Sequence, residues 1–134
     1  GDYVVCKLEA LWYTQDRADN FADLPQDKWC WRLMIRTPEC VTQKDLDKAV
    51  EALLKKGKAE AVKQVRLETL DESQCVQILH VGPYDKVGEA IEKMQALAEE
   101  NGLSFTGKHH EIYLSDPRRV APEKLKTIVR RSVI

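Results

Sequence analysis

The stretch CVQILHVGPYDKVGEAIEKMQALAEENGL, Cys75 to Leu103, reads as a strand, a turn, a helix and a stop. Cys75 to Val81 is the second arm of an expected hairpin, with Val65 to Leu70 as the first arm and Asp71-Glu72-Ser73-Gln74 as the turn. Gly82-Pro83 ends the extended run, and a helix is expected from near Asp85. Val87, Ala90, Ile91, Met94, Leu97 and Ala98 recur at helical spacing, so one face of that helix is apolar. Asn101-Gly102 before Leu103 supplies the stop, because Gly102 suits the left-handed position past a helix end.

Outward from this stretch the pattern alternates between strand and helix. Val4 to Tyr13 and Trp29 to Arg36 show a period of two and read as strands, joined by a polar loop over Thr14 to Lys28. Trp29, Trp31, Leu33 and Ile35 share one face, and Cys30, Arg32, Met34 and Arg36 the other. Thr42, with Asp45 three residues on, opens a helix that carries Leu46, Ala49, Val50, Leu53 and Leu54 and stops at Gly57. Beyond Gly102, His110 to Ser115 and Thr127 to Val133 read as strands, separated by Asp116-Pro117 and a short helix opened by Pro122. The expected order is β-β-α-β-β-α-β-β, and the strand-strand-helix passage recurs as a divergent internal repeat. That is an α+β design, an antiparallel sheet with helices on one face. The opposite face must be covered by something else or form a cleft, and function is expected there.

With 134 residues the chain is read as one domain with one core. Its 43% hydrophobic and 32% charged residues exclude a disordered chain, and its net charge of −1 gives no field drawing it to nucleic acid or membrane. No run approaches the ~18 apolar residues of a membrane span. Cys6, Cys30, Cys40 and Cys75 form no CxxC pair and do not cluster with histidine, so they read as buried, reduced thiols rather than disulfides or a metal site. Neither a metal nor a cofactor is expected. Arg118, Arg119, Lys124, Lys126, Arg130 and Arg131 make the end of the chain basic, but without aromatic interleaving they read as a solvated face.

Candidate chemistry centres on His109-His110-Glu111-Ile112-Tyr113-Leu114-Ser115. Alternation sends Ile112 and Leu114 one way and Glu111, Tyr113 and Ser115 the other. With the aliphatic pair under the helices, Glu111 and Tyr113 face the open side together. A carboxylate beside a phenol there either binds a cationic aromatic ligand or activates a water as general base. The competing reading is an exposed Glu111 paired with Lys108 or an arginine. His109 and His110 are adjacent on a strand and point to opposite faces, so they do not share an ion. His80 reads as a satisfied core or turn histidine. Trp31 is a core residue by alternation and a candidate for ligand contact, Met34 a candidate apolar lining, and Tyr84 either faces a ligand or packs the turn.

Three motifs in this order carry a resemblance: Leu79-His80-Val81-Gly82-Pro83-Tyr84-Asp85, then Asn101-Gly102-Leu103, then Glu111-Ile112-Tyr113-Leu114-Ser115-Asp116-Pro117-Arg118-Arg119. With Pro122 to Thr127 they resemble the GyrI-like small-molecule-binding family, over roughly residues 29 to 134. The resemblance implies two strand-helix-strand-strand halves related by a pseudo-two-fold axis, with a ligand cleft between them. It maps the family's ligand-facing carboxylate onto Glu111 and its aromatic-bearing strand onto Leu11-Trp12, which makes Trp12 a wall of the site. Stand-alone members carry a strand and helix before that point. Gly1, not Met, comes first here, and the first half is expected to be incomplete.

The implied function is recognition of flat aromatic molecules by a cytoplasmic bacterial protein, in the manner of multidrug-responsive regulators. No DNA-binding segment accompanies it, so neither nucleic acid nor membrane is an expected partner; self-association is. A second reading is detoxification, since stand-alone members include hydrolases of cyclopropane-bearing genotoxins. There Glu111 activates a water, Tyr113 bonds the water or substrate, and Trp12 stacks on the aromatic body. A third is a protein-interaction module like the gyrase-inhibitor branch, supported by the fold alone.

Overall fold

A computed structural model describes residues 3–15 and 25–134. Its contacts divide the chain into two compact units, one of Gly1–Arg36 with Glu72–Ile134 and one of Thr37–Asp71. The fold is α+β, and the described residues form one five-stranded antiparallel sheet and two α-helices. Residues 16–24 of the expected polar loop lie outside the described residues.

The larger unit holds the sheet. Its strands are β1 (Leu8–Thr14), β2 (Trp29–Ile35), β3 (Cys75–Val81), β4 (Phe105–Tyr113) and β5 (Lys126–Val133), in the order β2-β1-β4-β5-β3. Helix α2 (Val87–Glu100) follows a short 3-10 turn at Tyr84–Lys86. Its apolar stripe buries Ala90, Ile91, Met94 and Ala98, and three of these four form a core with Val129 of β5. Val76, Ile78, Trp12, Trp29 and Phe105 pack around that core. Replacing Ile91 or Met94 by Ala would cost about 2–5 kcal/mol, the usual range for emptying a packed site. The helix ends as its sequence dictates. Gly102 adopts φ +69°, while Leu103 N–H bonds Ala98 C=O at 2.8 Å and Gly102 N–H bonds Glu99 C=O at 3.0 Å.

Alternation sorts the sheet into two faces. Glu111 of β4 opposes Ala10 of β1 on one side and Val129 of β5 on the other, and Ala10 opposes Leu33 of β2. Because Val129 is a core residue beneath α2, Glu111 lies on the helix-bearing face. This corrects the expectation that Ile112 and Leu114 pack under the helices. The opposite face is instead tied by polar groups. His110 lies between Glu9 Oε1, 2.7 Å from Nε2, and Glu72 Oε2, 2.8 Å from Nδ1. Arg130 donates to Glu72 Oε1 at 3.1 Å and to Gln77 Oε1 at 2.9 Å.

The same network corrects the expected hairpin. Val65 to Leu70 form no strand, and β3 pairs with β5. The residues expected to turn back are drawn to β5: Ser132 Oγ donates to Glu72 C=O at 2.9 Å, and Val133 N–H to Gln74 C=O at 3.0 Å. The observed order is therefore β-β-α-β-α-β-β, in which β3-α2-β4-β5 makes one strand-helix-strand-strand half.

The smaller unit is built on α1 (Gln43–Lys55). Asp45 Oδ2 accepts from the Thr42 backbone N–H at 2.8 Å and from its hydroxyl at 3.0 Å. Those bonds, the backbone one first, hold the Asp45 carboxyl below its ordinary value. Leu46, Val50 and Leu54 are half-buried and line a shallow hollow with Lys63 and Val65.

The four cysteines are free, but not buried as expected. Cys6 and Cys40 are exposed, Cys30 and Cys75 half-buried. Cys6 precedes β1 and Cys40 lies in the turn before α1, so neither reaches a packed position. No helix among the described residues is long and apolar enough to cross a membrane.

Candidate functional site

β4 carries the centre of the site because its odd residues from His109 to Tyr113 point to the helix-bearing face. A glycine bulge just before them leaves that facing unchanged. Gly107 adopts φ +64°, and the β4–β5 register passes from Thr106↔Ser132 to His110↔Arg130, four steps on β4 against two on β5. The bulge thus adds two residues, an even number, and alternation resumes on the same side. Phe105 before it and Glu111 after it share a face.

On that face Glu111 is only 7% exposed, and both carboxylate oxygens are engaged. His109 Nε2 donates to Oε2 at 2.7 Å, and the Tyr113 hydroxyl donates to Oε1 at 3.1 Å. Tyr113 in turn accepts from Trp12 Nε1 at 3.0 Å. Register explains the reach: Trp12 opposes His109 across β1–β4, two pairs along from Ala10–Glu111 and so on the same face. Burial first, and the Glu111 carboxylate second, push the Tyr113 hydroxyl well above its ordinary value. It remains a donor throughout the neutral range. Burial, with Glu111 and then Asp116, also raises Tyr84.

Aromatic rings surround this chain of donors. Trp12 meets Trp29 edge-on with centroids 6.1 Å apart and Trp31 at a tilt, also at 6.1 Å. Tyr84 meets Tyr113 edge-on at 5.7 Å. Trp31 is 60% exposed, as a wall residue would be and a core residue would not. Leu33, Ile35 and Leu8 are exposed on the same face, next to it in the register.

The structure thus brings together Glu111, Tyr113, Trp12, Trp31 and Tyr84. Met34 does not join them, because it opposes Glu9 and so belongs to the face of His110. Sequence reasoning missed His109 as a partner of Glu111, although the i, i+2 spacing was the available signal. It also missed Gly107, a glycine inside a strand pattern. His80 is a buried, satisfied histidine near the end of β3, its Nε2 2.8 Å from Pro83 C=O in the turn that follows. His109 and His110 point to opposite faces, and among the described residues no three His, Cys, Asp or Glu side chains are grouped to hold a metal. Beyond β4, Asp116 is held down to about 2 by hydrogen bonds from the Arg118 side chain and backbone, so it is a solvated clamp on that arginine. One buried hydroxyl is orphaned among the described residues: Thr127 Oγ1, on the β5 residue opposite Tyr113.

The family described as the GyrI-like small molecule binding domain matches residues 7–130. Among solved structures, an uncharacterized conserved protein from Listeria innocua is 38% identical with TM-score 0.90, covering 100% of this chain and 66% of that one. A hydrolase from Listeria innocua is 38% identical with TM-score 0.85, covering 100% and 65%. A further structure of a hydrolase from that species is 36% identical with TM-score 0.86, covering 99% and 65%. The chain spans just under two thirds of the length of each of these proteins. None of the curated proteins matches it. On the family match and these similarities, the chain belongs to the GyrI-like small-molecule-binding domain family.

Proposed function

We propose that this chain binds flat aromatic small molecules against Trp12, Trp31 and Tyr84 and hydrolyses those that carry a strained ring, with Glu111 as general base. One observation carries the reading: a nearly buried carboxylate whose two oxygens are held by different donors, one of them bonded to the Trp12 indole that meets exposed Trp31. A carboxylate kept only to balance charge would be expected to sit against Lys or Arg. Glu111 instead takes its bonds from an imidazole and a phenol and stays a hydrogen-bond acceptor with lone pairs to spare. That two similar proteins are called hydrolases favours turnover over binding alone.

For a cyclopropane fused to a conjugated ketone, the step balances as follows. Glu111 takes a proton from water, and the water oxygen bonds to the ring CH2. The cyclopropane C–C bond breaks, and its electron pair runs into the conjugated carbonyl, which solvent protonates to a phenol. Tyr113 donates to the carboxylate and fixes it, while the indoles hold the aromatic body. The experiment is incubation with such a compound in water enriched in oxygen-18. The ring-opened alcohol should carry the label at the former ring carbon. Binding without product would leave a ligand sensor, which is the reading nearest the family description.

A further inference from the structure

We propose that His109 is a positioning residue for Glu111, fixing Oε2 so that Oε1, shared with Tyr113, is the oxygen that meets water or ligand. The inference rests on Glu111 being the functional carboxylate. His109 is 1% exposed, opposes Trp12, and places Nε2 2.7 Å from Glu111 Oε2. This is the shorter of the two bonds to the carboxylate, against 3.1 Å from Tyr113. The Tyr113 hydroxyl is also engaged by Trp12. Remove His109 and the carboxylate is held at one oxygen only, free to rotate about its last torsion, which is broad and two-fold. A buried carboxylate that loses a donor also loses compensation for its desolvation. A histidine suits the task because a single N–H engages one oxygen and leaves the other for the reaction, whereas an arginine fork tends to take both. The two oxygens of Glu111 thereby acquire different jobs.

The test compares His109→Gln, His109→Asn and His109→Phe in the whole chain. Glutamine carries a donor nitrogen the same number of bonds from Cβ as histidine Nε2, and asparagine falls one bond short. With the cyclopropane-bearing ketone as probe, Asn and Phe should lower kcat by about 10–100-fold with KM nearly unchanged, the scale on which partners of a functional ligand act. Gln should recover most of that loss. Equal loss in Gln and Asn, or no loss in either, would overturn the positioning role, and that comparison stands even if the Phe variant does not fold. Absence of turnover in the parent would overturn the hydrolytic reading instead. The role of His109 is then read from quenching of tryptophan fluorescence by ethidium, a planar aromatic cation. Gln should keep the parent affinity while Asn weakens it about fivefold or more, since a rotating carboxylate presents its charge less well. Identical affinities in parent, Gln and Asn would overturn it.

Discussion

Single side chains decide what the site can do, and two of them make distinct predictions. Thr127 is fully buried with an orphan hydroxyl beside Tyr113, so Thr127→Val keeps the shape and removes an unpaired polar group. The expected result is a rise in stability of about 1 kcal/mol in a urea melt, the lower end of the cost of such a group. A loss of stability would mean that the hydroxyl has a partner in solution. Tyr113 sets an alkaline limit. Its folded value lies above the ordinary 10.0, so above pH 10 the unfolded chain has released a proton that the folded chain still holds. Stability must therefore be fully present below pH 10 and fall as pH climbs past it. Tyr113→Phe should flatten that slope between about pH 10 and 11, with the Tyr84 contribution, of the same sign, remaining. An identical slope in the variant would place Tyr113 in water. The shared face of Glu111 and Tyr113 was legible through alternation, and the resemblance pointed to Trp12, whereas alternation put Trp31 in the core and the structure leaves it 60% exposed. His109 was not credited, because adjacent histidines suggested a shared metal and, once that failed, no role at all. Met34 was misplaced because a strand residue serves one face only, and the side-chain period alone does not say which face carries the helix.

At the scale of elements, the β4 bulge joins local conformation to chemistry. Gly107 at φ +64° inserts two residues opposite β5, and a Cβ there would meet Ser132 Cβ at no less than 3.6 Å, which is ordinary contact. Space is therefore not the obstacle; the left-handed backbone is. Gly107→Ala should cost about 1 kcal/mol or somewhat more in a thermal melt, and Gly107→Asn less, because Asn tolerates that region. Equal stability of all three would show that the bulge has relaxed to another conformation. Both helices were legible to within a few residues, since caps, glycine stops and apolar stripes are local properties. The hairpin of Val65 to Leu70 was not. Its apolar alternation was real, but Glu72 bonds His110 and Arg130 across the sheet, and such long-range pairing leaves no periodic mark on the segment before it.

For the whole molecule, the α+β class and the antiparallel sheet followed from element order, whereas the pairing of β4 between β1 and β5 is visible only in three dimensions. Thiol chemistry reports on the same global packing. A thiol reagent applied to the unfolded chain without reductant should count four free cysteines, and on the folded protein Cys6 and Cys40 should react well before Cys30 and Cys75. Uniform reactivity in the folded state would contradict that packing. The central claim is that this sheet exists to present one positioned carboxylate to an aromatic guest. Glu111→Gln keeps the side chain's shape and one accepting oxygen while removing charge and basicity, so the melting temperature should stay within a few degrees of the parent. The decisive measurement is the rate of cyclopropane opening by parent and Glu111→Gln at equal concentration. The expected result is a fall of roughly 100-fold or more in a folded variant, the scale of a lost general base; undiminished turnover in that variant would contradict the account.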